Sequence, residues 1–282
     1  MAKFVPDIKT QRWIVISPVR SDRPDEHRDG ESKECPFCCG NESMTPPEVL
    51  RIGQGYQNCL GWTIRVVPNL FPITDIHEVI IHSPDHNKDI EDFDTDHVAM
   101  LLNVYRSRFQ AHITDGQVMI FCNHGEHAGA SLAHPHSQLV VLPKQINLDA
   151  LVREPVTNIV DDNNYFVTYC PDFSQWPYEV WIAPKKDSGT FADTTDDELK
   201  DLAVILQKSL RRLKVKYNDP TTKKIHKFAA FAYNFYIHHA KNWFIRMIPR
   251  LVHRAGFELG TGLSVNVVDP TEAARELKEI TV

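Results

Sequence analysis

Apolar residues recur at helical spacing in two stretches of this chain and cluster into short runs elsewhere. From Thr95 to Ala111, residues Val98, Leu101, Leu102, Val104 and Tyr105 fall on one face. That is the pattern of an amphipathic helix, with Asp94 or Thr95 as its cap. Leu199, Leu202, Ile205, Leu206 and Leu210 mark a second helix from about Thr195 to Lys216. Runs rich in β-branched and aromatic residues predict strands. In the first half these are Trp62–Val67, Glu78–His82, Gln117–Cys122 and Gln138–Leu142. In the second they are Tyr165–Tyr169, Tyr178–Ile182, Phe228–Tyr236 and Trp243–Ile248. A last short helix begins near Thr271. Residues 1–60 read as loop-rich, with one apolar strand at Trp13-Ile14-Val15-Ile16 and a charged stretch from Ser21 to Lys33.

The order of elements repeats. The string VIIHSPDH and the helix after it are echoed by VWIAPKKD and its own acidic-capped helix. Each half reads strand, helix, strand, loop, strand. The reading is an internal duplication, with one domain over residues 1–150 and another over 151–282. A helix resting on an antiparallel sheet in each half gives an α+β class.

The chain has 282 residues, 42% hydrophobic and 24% charged, which suits a folded protein with a substantial core. A net charge of −6 lacks the basic footprint of a nucleic-acid binder. No run approaches a membrane span, and the N-terminus lacks an apolar signal region, so the expected location is the cytoplasm. Six cysteines without a secretion signal do not read as a disulfide framework.

Three of them, Cys35, Cys38 and Cys39, sit together and point to metal. Cys35-Pro36-Phe37-Cys38 has the Cys-x2-Cys spacing of zinc ligation. Two cysteines leave a tetrahedral site half made. His86, ending Ser83-Pro84-Asp85-His86, and His134, opening His134-Pro135-His136-Ser137-Gln138, supply two more ligands. His82 and Cys39 compete for the same roles on spacing alone. A Cys2His2 set leaves no open position, so the metal would be structural. His134 and His136 are one residue apart, which on a strand puts both on the same side. Gln138 shares that face.

Together these residues resemble the galactose-1-phosphate uridylyltransferase branch of the histidine-triad superfamily, nearest to its ADP-glucose phosphorylase-like members. The matching pieces run in order: Trp13 to Pro24, the Cys35 to Cys38 knuckle, Val67-Pro68-Asn69-Leu70-Phe71-Pro72, Ser83 to His86, and Gly129 to Gln138. The resemblance implies two tandem histidine-triad-like domains and a homodimer. It implies nucleotidyl transfer, or phosphorolysis, on a nucleotide sugar, with hexose 1-phosphate or phosphate as the other substrate. His136 would attack the α-phosphorus, aided by Gln138 and Ser131. Arg20, Arg23, Asn69 and Asn123 would hold the nucleotide and its phosphates. Glu258 and Phe257, in Ala255-Gly256-Phe257-Glu258, would meet the sugar. Zinc would sit on Cys35, Cys38, His86 and His134.

Two departures bear on specificity and metal. Asn69-Leu70 stands where uridylyltransferases usually carry Asn-Asp, which resembles the adenylyl-handling relatives. The second metal site of many members is built partly on another His-x-His, but the corresponding strand here reads Asn242-Trp243-Phe244-Ile245-Arg246. Two other readings are kept: a dinucleoside polyphosphate phosphorylase using the same histidine chemistry, and a non-catalytic nucleotide-binding protein.

Overall fold

The computed structural model describes residues 2–7, 12–24, 34–146, 148, 151, 153–228 and 230–282. Most of the charged stretch from Ser21 to Lys33, His27 within it, and the expected boundary at 150 lie outside the described residues. Two short strands, β1 (Lys3–Pro6) and β2 (Trp13–Ile16), pair with each other. Among the described residues the other ten strands form one antiparallel sheet.

In the first half these are β3 (Leu50–Gly53), β4 (Trp62–Pro68), β5 (His77–Ile81), β6 (Gln117–His124) and β7 (His136–Leu142). In the second they are β8 (Ile159–Asp162), β9 (Phe166–Tyr169), β10 (Val180–Pro184), β11 (Tyr233–Ile237) and β12 (Ile245–Pro249). The sheet order is β3-β4-β5-β7-β6-β11-β12-β10-β9-β8. Read from either edge, the sequence of strand roles is the same, and the halves meet where β6 pairs with β11. The chain is therefore α+β, built of two tandem units that share one sheet.

Helix α1 (Thr95–His112) and helix α2 (Asp196–Asn218) pack on one face of the sheet and on each other. A single core joins them to both halves, from Ile80, Leu101, Leu139 and Val141 to Leu206, Phe235 and Ile245. Thr195 caps α2, its hydroxyl accepting from the Glu198 N–H while Glu198 reaches back, a reciprocal capping box. Asp94 holds the cap position of α1 without a side-chain bond. Two short helices follow, α3 (Gly256–Thr261) and α4 (Pro270–Glu279).

The outer face carries two separate clusters. In the first half Cys35, Phe37, Trp62, Val67, Val79, Ile81 and Leu132 pack together. In the second, Val167, Tyr169, Trp181, Ala183 and Phe244 do so. The loop-rich segment around Cys35 is moored to β4 by buried charge. Arg65 Nε donates to Glu48 Oε2 at 2.6 Å, and Trp62 Nε1 donates to Glu42 Oε1 at 2.7 Å.

Several expected boundaries move. The sequence pattern omits β1, β3 and β8, all of four residues. The strand expected from Phe228 begins only at Tyr233, and that expected from Tyr178 begins at Val180, because Tyr178 adopts a left-handed φ of 57°. The echoed strings are also one residue out of step. Val79 faces the outer cluster, whereas Val180 faces the helices. The residue in Val79's place is Trp181. A one-residue slip exchanges the faces of a strand, so string similarity alone mispairs the halves.

Candidate active site

Burial on both faces makes β7 almost entirely enclosed. Its side chains alternate. Ser137 and Leu139 point to the helices, and His136 and Gln138 point to the outer face. Behind His136, Ser137 Oγ lies 2.6 Å from Tyr105 Oη and 2.8 Å from His82 Nε2. His82 is thus committed to the helix side of the sheet and is not a ligand of the cysteine cluster.

The cysteine cluster takes His86 and His134 instead. The ligand atoms of Cys35, Cys38, His86 and His134 all lie within 4.8 Å of one another. Cys38 Sγ is 3.3 Å from His86 Nδ1 and 3.6 Å from His134 Nδ1. A tetrahedral zinc with ordinary bond lengths would space sulfur and nitrogen by roughly 3.5 Å. His134 Nε2 donates to the Ser83 carbonyl at 2.8 Å, which leaves the Nδ1 lone pair toward the sulfurs. Burial, with His86 and His136 nearby, pushes His134 down to about 4 against that hydrogen bond, so the ring is the neutral form a metal needs. These four residues form a site able to hold a metal ion. Cys39 is exposed and outside it.

His136 follows two residues later. Its Nδ1 lies 2.9 Å from the His134 carbonyl oxygen. A carbonyl only accepts, so Nδ1 carries the hydrogen and Nε2 carries the lone pair. Phe37 packs edge-on to the His136 ring, with centroids 5.2 Å apart.

His136 and Gln138 lie in the wall of a cavity of about 510 Å³. Arg20, Arg23, Asn69, Leu70, Phe71, Ser131 and Leu132 also line it, beside Val67, Val79 and the segment Met44-Thr45-Pro46. The volume is that of a typical small-molecule site. Arg20 Nη1 donates to the Phe71 carbonyl at 2.8 Å, and Arg23 Nη2 to the Gly129 carbonyl at 3.1 Å. Burial and the neighbouring Arg23 lower the Arg20 pKa. Gly125 opens the loop before Ser131 at φ 81°, and a Cβ there would meet Ala232 Cβ and the Phe231 oxygen at 3.0 Å.

Three expected site residues stand elsewhere. Asn123 is not in this cavity; it lines a small recess shared with His134 and His136, and its Oδ1 accepts from Asn234 Nδ2 at 2.8 Å. Phe257 and Glu258 lie on α3, Phe257 exposed and Glu258 half-buried, and neither lines the cavity of the same chain. Glu258 instead accepts the Ala255 N–H at 3.0 Å. Sequence reasoning passes over His77, which lies beside Gln138 on the same face of the sheet. Its signal is present in the alternation of His77, Val79 and Ile81 on one face, but the expected strand begins at Glu78.

The equivalent place in the second half is filled. Val67 pairs with Val79 across β4 and β5, and Tyr169 pairs with Trp181 across β9 and β10. Phe244 precedes Arg246 as His136 precedes Gln138. Trp181 and Phe244 stack at 4.1 Å. Rings occupy the volume that two valines leave open in the first half.

Comparison with known proteins agrees with this fold. Residues 16–145 match a family described as a domain of unknown function (DUF4931), N-terminal domain. An ADP-glucose phosphorylase from Arabidopsis thaliana is 27% identical over 98% of this chain and 92% of its own. A crystal structure of an ADP-glucose phosphorylase from that plant, with bound ADP-glucose, superposes with a TM-score of 0.75 at 26% identity, covering 100% of both chains. The chain is also similar to galactose-1-phosphate uridylyltransferases. One of them, from Thermotoga maritima, is 24% identical over 97% of this chain and 96% of its own. Among the described residues no helix is long and apolar enough to cross a membrane.

Proposed function

We propose that this chain is a nucleotidyltransferase or phosphorylase acting on a nucleotide sugar through a covalent nucleotidyl-histidine at His136. The observation that carries the reading is the 2.9 Å bond from His136 Nδ1 to the His134 carbonyl, which places the Nε2 lone pair on a residue of the cavity wall. In the first step Nε2 attacks the α-phosphorus. The P–N bond forms, the bond to the hexose 1-phosphate oxygen breaks, and that oxygen leaves with the electron pair. In the second step an oxygen of phosphate or hexose 1-phosphate attacks the same phosphorus. The P–N bond breaks and the imidazole regains its lone pair. Gln138, Ser131 and loop amides donate to phosphate oxygens, and Arg20 and Arg23 offset charge in the transition state. Asn69 holds the nucleoside, with Asn123 behind His136. Adenine is the favoured base, because Leu70 lines the cavity and the full-length relatives include ADP-glucose phosphorylase.

The metal in this reading is zinc on Cys35, Cys38, His86 and His134. Bound there it would be structural, fixing the His134 backbone that holds His136. The division between the two units is placed at residue 150. The functional unit is a homodimer in the cytoplasm. Phe257, Leu259 and Leu263 are 53%, 75% and 61% exposed, an apolar run that a second copy would cover. Glu258 and Phe257 are assigned to the hexose in the cavity of that second copy.

Intact-mass measurement after incubation with ADP-glucose, UDP-glucose or diadenosine tetraphosphate tests the reading. An adenylyl adduct from ADP-glucose is expected. An adduct from UDP-glucose alone reverses the base. One from diadenosine tetraphosphate alone replaces the sugar with a dinucleoside polyphosphate. No adduct from any donor leaves a nucleotide-binding protein without catalysis.

A further inference from the structure

The state of His77 is set by a hydrogen that cannot turn away. β5 places His77 on the cavity-side face, two residues before Val79, and Val79 pairs with Gln138. His77 is buried and does not itself line the cavity. The Ile73 backbone N–H donates to His77 Nδ1 at 2.9 Å. Nδ1 therefore carries the lone pair, and the neutral ring bears its hydrogen on Nε2. Nε2 lies 3.0 Å from Gln138 Oε1, so His77 donates and the carboxamide oxygen accepts. Asn69 Nδ2 lies 3.2 Å from the same nitrogen, but Asn69 Oδ1 accepts the Phe71 N–H at 2.8 Å. That contact joins two donors and makes no bond.

From this arrangement we infer that His77 is a positioning residue. It locks the Gln138 carboxamide with its oxygen turned back into the protein and its NH2 group left for the cavity. The inference rests on the nucleotidyl-transfer reading above. An unanchored carboxamide is nearly symmetric in shape and can turn over. Turned over, it would present an acceptor to the phosphate oxygens instead of a donor, opposing the charge it should stabilise. Burial supports the lock by keeping His77 neutral at ordinary pH, with its pKa pushed down to about 4.

The second half of the molecule holds the same diagonal by other means. Trp181 pairs with Arg246 as Val79 pairs with Gln138, and Glu179 stands two residues before Trp181. Arg246 Nε donates to Glu179 Oε1 at 2.7 Å. Where the cavity is filled, a charged pair spans the two strands. Where the cavity is open, the pair is a neutral donor and an amide whose other end stays available.

Three measurements decide the matter. The first is the ring 15N shifts of His77 at neutral pH, which should report hydrogen on Nε2; hydrogen on Nδ1 overturns the lock whether or not the protein is an enzyme. The second is single-turnover adduct formation from ADP-glucose. His77→Phe should slow it about 10-fold or more with little change in nucleotide affinity. His77→Gln, which keeps an amide donor, should recover most of the rate. The third is the same substitution in a Gln138→Ala background, where it should change the rate less than about twofold. Independent, multiplying losses overturn the inference. Should His77→Phe fold poorly, as judged by metal content and thermal melting, His77→Gln and the 15N shifts still decide it. A wild type that forms no adduct with any donor sinks the functional reading, while the tautomer measurement still tests the lock.

Discussion

The carbonyl of His134 accepts the Nδ1–H of His136 at 2.9 Å, while the His134 ring points to Cys38 Sγ at 3.6 Å. One residue thus faces the candidate metal site with its side chain and orients the proposed nucleophile, His136, with its backbone. The two functions share a strand end but not an atom, so they can be separated by substitution.

His136→Asn should abolish nucleotidyl transfer, by at least about 1,000-fold, and leave bound metal unchanged. Cys35→Ser should lower metal content and cost on the order of 4 kcal/mol of stability, since the site ties the segment around Cys35 to the sheet. Elemental analysis and thermal melting on both proteins check this. Full metal content with an unshifted melting temperature in Cys35→Ser would refute the ligand assignment, and comparable turnover in His136→Asn would refute the chemistry.

What the sequence disclosed follows from period and spacing. Both long helices, the central strands and the Cys-x2-Cys pair came from patterns that survive without tertiary information. His86 and His82 could not be separated by spacing; the sheet separates them, because His82 turns to Ser137 and Tyr105 on the helix side. The short strands β3 and β8 escaped because four residues give too little alternation to read. Asn123 and Glu258 were assigned from resemblance, and neither lines the main cavity of its own chain. His77 was missed because its role lies in a bond to Gln138, 61 positions away.

Tyr105 supports β7, the strand of the proposed nucleophile, from the opposite face. It is buried, and its hydroxyl lies 2.6 Å from Ser137 Oγ and 3.1 Å from His82 Nε2. Tyr105→Phe would strip one partner from both groups in a dry site. A loss of about 1–3 kcal/mol is expected in urea unfolding, with metal content retained. A change below about 0.5 kcal/mol would mean that the network is dispensable.

Glu258 offers a test of which half reaction its proposed place at the sugar serves. Its carboxylate accepts the Ala255 backbone N–H at 3.0 Å, the first of the contacts that lower its pKa. Glu258→Ala should spare formation of the nucleotidyl enzyme from the bare donor in single turnover. It should slow transfer to hexose 1-phosphate by about 10-fold, the loss expected for one charged hydrogen bond to substrate. Equal losses in both half reactions would remove Glu258 from the sugar site.

Acid should destabilise this protein through buried neutral histidines as well as through any bound metal. Burial pushes His77 down to about 4, and Arg20, Arg23 and His136 push the same way against the bond to Gln138. Burial, with His239 beside it, holds His238 at about 4 as well. In the unfolded chain both titrate near about 6.5. Above that value the rings are neutral in both states and add no slope. Between about pH 6.5 and about pH 4 the unfolded chain binds protons that the folded chain excludes, so stability falls as the pH falls. For His77 alone the loss on reaching about pH 4 is on the order of 3 kcal/mol. His77→Gln removes that group from the titration and leaves the metal ligands in place. Between about pH 5.5 and about pH 4.5 its stability should therefore fall less steeply than wild type, by roughly 1.4 kcal/mol per pH unit. Urea unfolding of the two proteins across that range measures the difference directly. Any fixed cost of the substitution cancels in the slope, and parallel curves would show that His77 does not exclude a proton in the folded state.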